Sequence, residues 1–171
     1  MAEKALLVID MQNDYFWDKR KTEFTYDTET LVKNVNNNIT EYKENGHDII
    51  YISHILPNIF ITRWFLGFSL RGTPGAELYD GINMVSDLHF EKHFANTFTS
   101  KTFQEHMKNS NYSEITLCGI DECACVGETA KGSIKAGLKT TIIKDATGCR
   151  FSEDKNEKMR SKLISLGVEY I

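Results

Sequence analysis

Short apolar runs and helical repeats take turns along the chain. Ala5-Leu6-Leu7-Val8-Ile9 is an unbroken apolar run ending at Asp10, the pattern of a strand buried on both faces. Leu31, Val35, Ile39 and Tyr42 recur at three- and four-residue steps, which predicts one apolar helix face. Asp27 or Thr28 can cap its start, and Gly46 suits its left-handed stop. Residues 48–53, with Ile49, Ile50, Tyr51 and Ile52, predict a second buried strand. A loop-rich stretch follows from His54 to about Asp80. A third strand is expected at 84–88, a helix capped by Ser100 and showing Phe103 and Met107, and a strand at 114–118. Residues 123–136 read as a helix stopped by Gly137, and 140–144 as a strand. Met159, Leu163 and Leu166 give a last helical face before Gly167, and 168–171 closes the sheet.

Strands buried on both faces, with helices between them, define a parallel sheet covered on each side. The expected fold is a three-layer α/β domain of the doubly wound kind, a single domain spanning 1–171. Its ligands belong at the carboxyl ends of the strands.

Composition narrows the class of function. The chain of 171 residues is 41% hydrophobic and 26% charged, which excludes a disordered or collagen-like protein. A net charge of −4 argues against a nucleic-acid partner. No apolar stretch approaches the ~18 residues of a membrane span. Met1-Ala2-Glu3-Lys4 does not open a secretory leader, so a cytoplasmic protein with reduced thiols is expected. The four cysteines, Cys118, Cys123, Cys125 and Cys149, are too few for a disulfide scaffold.

Asp10, Lys92 and Cys125 all fall just beyond expected strands. Cys125 opens a helix, where free N–H groups and the dipole favour a thiolate. A lysine nearby would lower the thiol pKa further, and the same N–H groups can hold an oxyanion. An aspartate within reach can take the thiol proton and return it to a leaving amine. The plainer alternative makes Cys125 a small buried hydrophobe, Asp10 a strand-end cap and Lys92 a surface charge.

The run from Ala5 through Asp10 to Phe16 resembles the opening motif of the isochorismatase-like cysteine hydrolase superfamily. Arg71-Gly72-Thr73-Pro74-Gly75-Ala76-Glu77-Leu78 is similar to its second motif, and Glu91-Lys92-His93-Phe94-Ala95-Asn96-Thr97-Phe98 to its lysine motif. Residues 119–130, around Asp121-Glu122-Cys123-Ala124-Cys125, are similar to its nucleophile motif, and Lys144-Asp145-Ala146 to the strand end after it. The resemblance implies a Rossmann-like, mostly parallel six-stranded sheet and an Asp10–Lys92–Cys125 triad. It also implies an oxyanion hole from the N–H groups of Ala124 and Cys125, and a cis peptide at Asp121–Glu122. Homo-oligomers, dimers or tetramers, are common in the family.

True isochorismatases lack the cysteine, so Cys125 favours attack on an amide-like carbon. The nicotinamidase metal site needs an aspartate and two histidines. Here His54 stands at one histidine position, while Ile52 and Phe68 occupy the other two positions. One imidazole does not make a site for a metal that takes three protein ligands, so no metal and no cofactor are expected. Phe60, Trp64, Phe65 and Phe68 form an aromatic cluster, either packing in a core or subunit interface or walling a pocket. In the pocket reading Phe16, His54, Trp64 and Phe68 contact the substrate. Cys118 is expected to pack on a strand. Cys123 has no second cysteine pair at metal-site spacing, and Cys149 falls in a loop.

The sequence therefore predicts a metal-independent cysteine amidohydrolase acting on a small-molecule amide or carbamoyl compound through a Cys125 thioester. The alternatives are a nicotinamidase-type or isochorismatase-type hydrolase, or a non-catalytic small-molecule binder on the same fold.

Overall fold

The computed structural model describes residues 3–171; Met1 and Ala2, part of the segment read above for a secretory leader, lie outside the described residues. Six strands form one sheet in the order β3-β2-β1-β4-β5-β6, and every pairing is parallel. They are β1 (Lys4–Ile9), β2 (Asp48–His54), β3 (His89–Lys92), β4 (Glu114–Ile120), β5 (Lys139–Gly148) and β6 (Glu169–Tyr170). The helices are α1 (Asn13–Phe16), α2 (Thr28–Glu44), α3 (Phe60–Phe65), α4 (Lys101–Asn109), α5 (Gly127–Lys135) and α6 (Glu153–Ser165).

The central strand β1 divides its side chains between two cores by the two-residue period of a strand. Leu6 and Val8 join Leu31, Val35 and Ile39 of α2 on one face. Ala5, Leu7 and Ile9 join Phe103 of α4, Ala130 of α5 and Leu163 of α6 on the other. The three buried α2 side chains each contribute about 1.5–3 kcal/mol. Asp27 caps α2, its carboxylate accepting from the Thr30 N–H at 3.2 Å.

Three elements depart from the sequence reading. The third strand lies at His89–Lys92 rather than 84–88, and Met84 and Val85 are exposed. This strand is at the sheet edge and reads His-Phe-Glu-Lys, so it lacks the apolar run of a strand covered on both faces. Ser100 does not cap α4; its hydroxyl donates to the Glu91 carbonyl at 2.7 Å. The expected helix at 123–136 opens as a wide π turn, Glu122–Val126, before α5 begins.

Gly119 shows why a glycine stands where β4 passes β1. Its φ is +105°, and a Cβ there would lie 2.1 Å from the Ile9 carbonyl oxygen. Among the described residues, no helix is long and apolar enough to cross a membrane.

Candidate active site

The carboxyl ends of β1, β3 and β4 bring three side chains together. Asp10 directly follows β1 with φ 55°, a left-handed conformation that aspartate tolerates better than most residues. Its N–H still donates to the Ile52 carbonyl at 2.8 Å, so the backbone stays tied to β2 while the strand's alternation breaks. Lys92 is the last residue of β3 and is fully buried. Its ammonium lies 2.8 Å from Asp10 Oδ2 and 3.0 Å from Cys125 Sγ. Cys125 rides on the π turn after β4. The three expected catalytic residues are thus in direct contact, although up to 115 positions separate them in the chain.

The electrostatics differ from the sequence expectation in one respect. Burial pushes the Cys125 thiol up to about 12, the Asp10 charge adds to this, and Lys92 offsets only part of it. The resting thiol therefore keeps its proton. Burial also works against the Lys92 ammonium, but the charge of Asp10 and the contact with Cys125 raise its pKa above the ordinary lysine value. The resting centre is an Asp10–Lys92 ion pair beside a neutral thiol. Asp10 Oδ1 is buried and has no hydrogen-bond partner, which leaves an acceptor open at the centre.

The π turn is held from both sides. Asp121 Oδ1 accepts from the Cys123 N–H at 3.0 Å, and Oδ2 accepts from the Tyr26 hydroxyl at 2.8 Å and the Arg150 N–H at 2.9 Å. Glu122, fully buried, takes a two-pronged contact from Arg160, with both N···O distances 2.7 Å. The cis peptide is Ile120–Asp121, not Asp121–Glu122. The Asp121 carbonyl accepts from the N–H groups of Ala124 and Val126, so the Asp121–Glu122 unit already belongs to the helical turn, which is built of trans peptides. The Ala124 N–H expected in an oxyanion hole is engaged in this contact at 2.9 Å.

A cavity of about 200 Å³ opens onto this centre. Asp10, Ala124 and Cys125 line it, and Tyr15, Phe24 and Phe68 form aromatic walls. Phe68 and Phe24 meet edge to face at 5.3 Å between ring centres. His54 also lines the cavity, and burial together with Lys92 keeps its imidazole below its ordinary pKa, hence neutral near pH 7. Arg150 lines the cavity as well, its guanidinium 5.1 Å from the centre of the Phe24 ring and 3.0 Å from Glu23.

Two expected substrate contacts are not brought here. Phe16 ends the one-turn α1 and packs in the core between Tyr26 and Tyr79, only 2% exposed. Trp64 sits on α3, a helix with no buried residue, and is 75% exposed with its ring stacked on Phe60. The cluster is therefore split: Phe68 faces the cavity, while Phe60, Trp64 and Phe65 face outward. Arg150 was missed by sequence reasoning although it follows β5 at the same rim. Phe24 and Tyr26 were missed because they lie in an aperiodic loop.

The positions compared above with a nicotinamidase metal site hold one imidazole and two hydrocarbon side chains. Ile52 is buried in the sheet opposite Ile9 and Phe90, and Phe68 is a cavity wall. These residues do not fit a three-ligand metal site.

A parallel α/β sheet with an aspartate, a lysine and a cysteine gathered at its carboxyl rim defines the class. Residues 4–165 match the isochorismatase domain family, and the chain belongs to it. The chain is similar to a protein of Arabidopsis thaliana described as a probable inactive nicotinamidase, 26% identical over 170 residues, covering 90% of this chain and 86% of the relative. Its structure is similar to the zinc-bound pyrazinamidase of Pyrococcus horikoshii, with TM-score 0.87 and 22% identity over 99% of this chain and 98% of that one. It is also similar to the N-carbamoylsarcosine amidase of Thermoplasma acidophilum, with TM-score 0.80 and 21% identity over 99% and 95% of the two chains. The fold is that of isochorismatase-family hydrolases.

Proposed function

We propose that the protein is a cysteine amidohydrolase that cleaves a small-molecule amide or carbamoyl C–N bond without a metal. The observation that carries this reading is the Lys92 ammonium within 3.0 Å of both the Asp10 carboxylate and the Cys125 sulfur. A protein that only bound ligands would have no need to gather all three groups in contact.

In the proposed cycle Asp10 takes the thiol proton as Cys125 Sγ attacks the carbonyl carbon. The N–H groups of Cys125 and Ala124 face the oxyanion, the latter shared with its contact to Asp121. Collapse expels the amine, which Asp10 protonates, and leaves a thioester on Cys125. Water, deprotonated by Asp10, then attacks the thioester and frees the carboxylate product. Lys92 offsets the negative charge whether it rests on the carboxylate or on the sulfur. The cavity of about 200 Å³ is smaller than the ~300–1,000 Å³ of drug-sized sites, which supports a compact substrate. Its aromatic walls suit a flat or apolar body, and Arg150 suits an anionic group on it.

The test is an ammonia-release screen over primary amides, carbamoyl compounds and nicotinamide. Cys125→Ala is expected to lower the rate at least ~100-fold, because the covalent route is lost. Activity that survives this change would instead indicate an isochorismatase-type reaction. Ligand binding that is equal in both proteins, with no turnover in either, would indicate a binder. The Arabidopsis relative described as a probable inactive nicotinamidase gives that second reading its specific support.

A further inference from the structure

The proposed chemistry leaves two thiols idle beside the nucleophile turn. Cys123 lies on that turn two residues before Cys125, and Cys149 directly follows β5 and precedes the cavity residue Arg150. Their sulfur atoms are 3.4 Å apart, although 26 positions separate them in the chain. Neither touches the Asp10–Lys92 pair. Cys118, by contrast, is fully buried on β4 with its thiol toward the Leu7 carbonyl.

We propose that Cys123 and Cys149 are an oxidisable pair that closes to a disulfide with hydrogen peroxide as the oxidant. The Cys149 sulfur attacks one peroxide oxygen, the O–O bond breaks, and a sulfenic acid and one water form. The Cys123 thiol then attacks the Cys149 sulfur, forms the S–S bond and expels a second water. Two thiols lose two electrons and two protons, and one peroxide becomes two waters. Cys149 is the better first reactant. It is only half-buried, and although burial and the Asp121 charge hold its pKa above the ordinary thiol value, the Phe151 N–H offsets part of this. Burial pushes the Cys123 thiol up to about 12, so it keeps its proton and is the poorer first reactant. It enters second, giving that proton to the departing hydroxide, because its sulfur already lies 3.4 Å from that of Cys149.

Asp121 completes a cluster of three possible metal ligands with these cysteines. Its carboxylate is already committed to three donors, the Cys123 N–H, the Tyr26 hydroxyl and the Arg150 N–H. The Arg150 guanidinium also lies 3.8 Å from it, a cation that would oppose a metal ion. The surroundings therefore fit a thiol pair better than a metal site. Closing the pair from 3.4 Å to the ~2.05 Å of a disulfide would fasten the nucleophile turn to the Arg150 side of the cavity.

The test needs no substrate, so it stands apart from the hydrolase reading. The reduced full chain is treated with hydrogen peroxide, alkylated and mapped by mass spectrometry without reductant. The expected product is a linked Cys123–Cys149 peptide pair, about 2 Da lighter than the two free peptides and reverted by dithiothreitol. The link should form to the same extent in Cys125→Ala. Cys149→Ser, with its melting compared to the parent, should leave Cys123 fully alkylatable. Free Cys123 and Cys149 after Cys125 has been oxidised would overturn the proposal. So would a Cys123–Cys125 link, or zinc present at about one equivalent that protects both thiols. The mapping of the parent chain decides the matter even if Cys149→Ser fails to fold.

Discussion

Lys92→Met isolates the electrostatic content of the buried centre. Methionine is close to lysine in length and carries no charge. The ammonium is fully buried and lies 2.8 Å from Asp10 Oδ2, and Asp10 itself is 2% exposed. At an effective dielectric of about 20 the gross attraction at that distance is about 6 kcal/mol. Desolvation of both groups offsets much of this, but removing one partner strands the other charge at a cost of about 3–5 kcal/mol. That is a large share of a typical folding free energy of about 5–15 kcal/mol. Asp10→Asn should be costly for the mirror reason, since it strands the ammonium. The double variant buries no charge at this point, so it should be more stable than the sum of the single losses implies, by about 2–3 kcal/mol. Urea unfolding of the four proteins at pH 7, read at equal m-values, measures this coupling. A coupling below about 0.5 kcal/mol would refute the idea that each buried charge depends on the other.

Three further outcomes follow from the same structure. Stability should be full below pH 9 and fall as pH rises from 9 toward 12, because the folded Cys125 thiol, raised from 9.0 to about 12, holds its proton where the unfolded one loses it. The loss is at most about 4 kcal/mol, and urea midpoints should show a shallower decline for Cys125→Ala; an equal decline would contradict the burial argument. Gly119→Ala should lower the melting temperature by about 6–12 °C, corresponding to about 3 kcal/mol at this size, since its Cβ would meet the Ile9 carbonyl at 2.1 Å. A drop under about 2 °C would show that β4 moves aside freely. Glu122→Gln should cost about 2–4 kcal/mol by weakening a charge-assisted contact to Arg160 and leaving a polar group buried. Calorimetry checks this, and an unchanged melting temperature would mean that the π turn holds itself.

The sheet was legible because its signals are local, and the candidate trio because its positions and the family resemblance pointed the same way. Ala5 to Ile9 is apolar at every position, as a strand buried on both faces must be, and the strand-end rule then points to Asp10, Lys92 and Cys125. The edge strand β3 was misplaced because the apolar signal depends on burial, and an edge strand lacks it. Long-range pairings were not legible. Nothing in the sequence spacing says that Cys149 meets Cys123, or that Arg160 meets Glu122, because α6 and the end of β5 reach the turn only through the tertiary fold. Trp64 illustrates the opposite error. The aromatic cluster could read as core, subunit interface or pocket wall, and spacing alone did not show that Phe68 would line the cavity while α3 turns Trp64 outward. The resting protonation of Cys125 was missed for a quantitative reason: the helix-start and lysine effects were both real candidates, but burial and the neighbouring Asp10 outweigh them.

A protonated thiol beside an ion pair has a consequence for how the proposed nucleophile would be activated. Moving the proton from Cys125 to Asp10 shifts a negative charge from carboxylate to sulfur. The same ammonium lies 2.8 Å from the first site and 3.0 Å from the second. At an effective dielectric of about 20, its attraction to the two positions differs by only about 0.4 kcal/mol. The transfer therefore neither brings a new charge into the cavity nor takes the negative charge out of reach of the Lys92 ammonium. Its cost lies in the intrinsic acidity difference between a thiol and a carboxylic acid and in the burial of the sulfur. A lysine, with a compact ammonium on a flexible stem, suits this shared duty. An arginine would bind the carboxylate with its planar fork and favour the starting state over the thiolate.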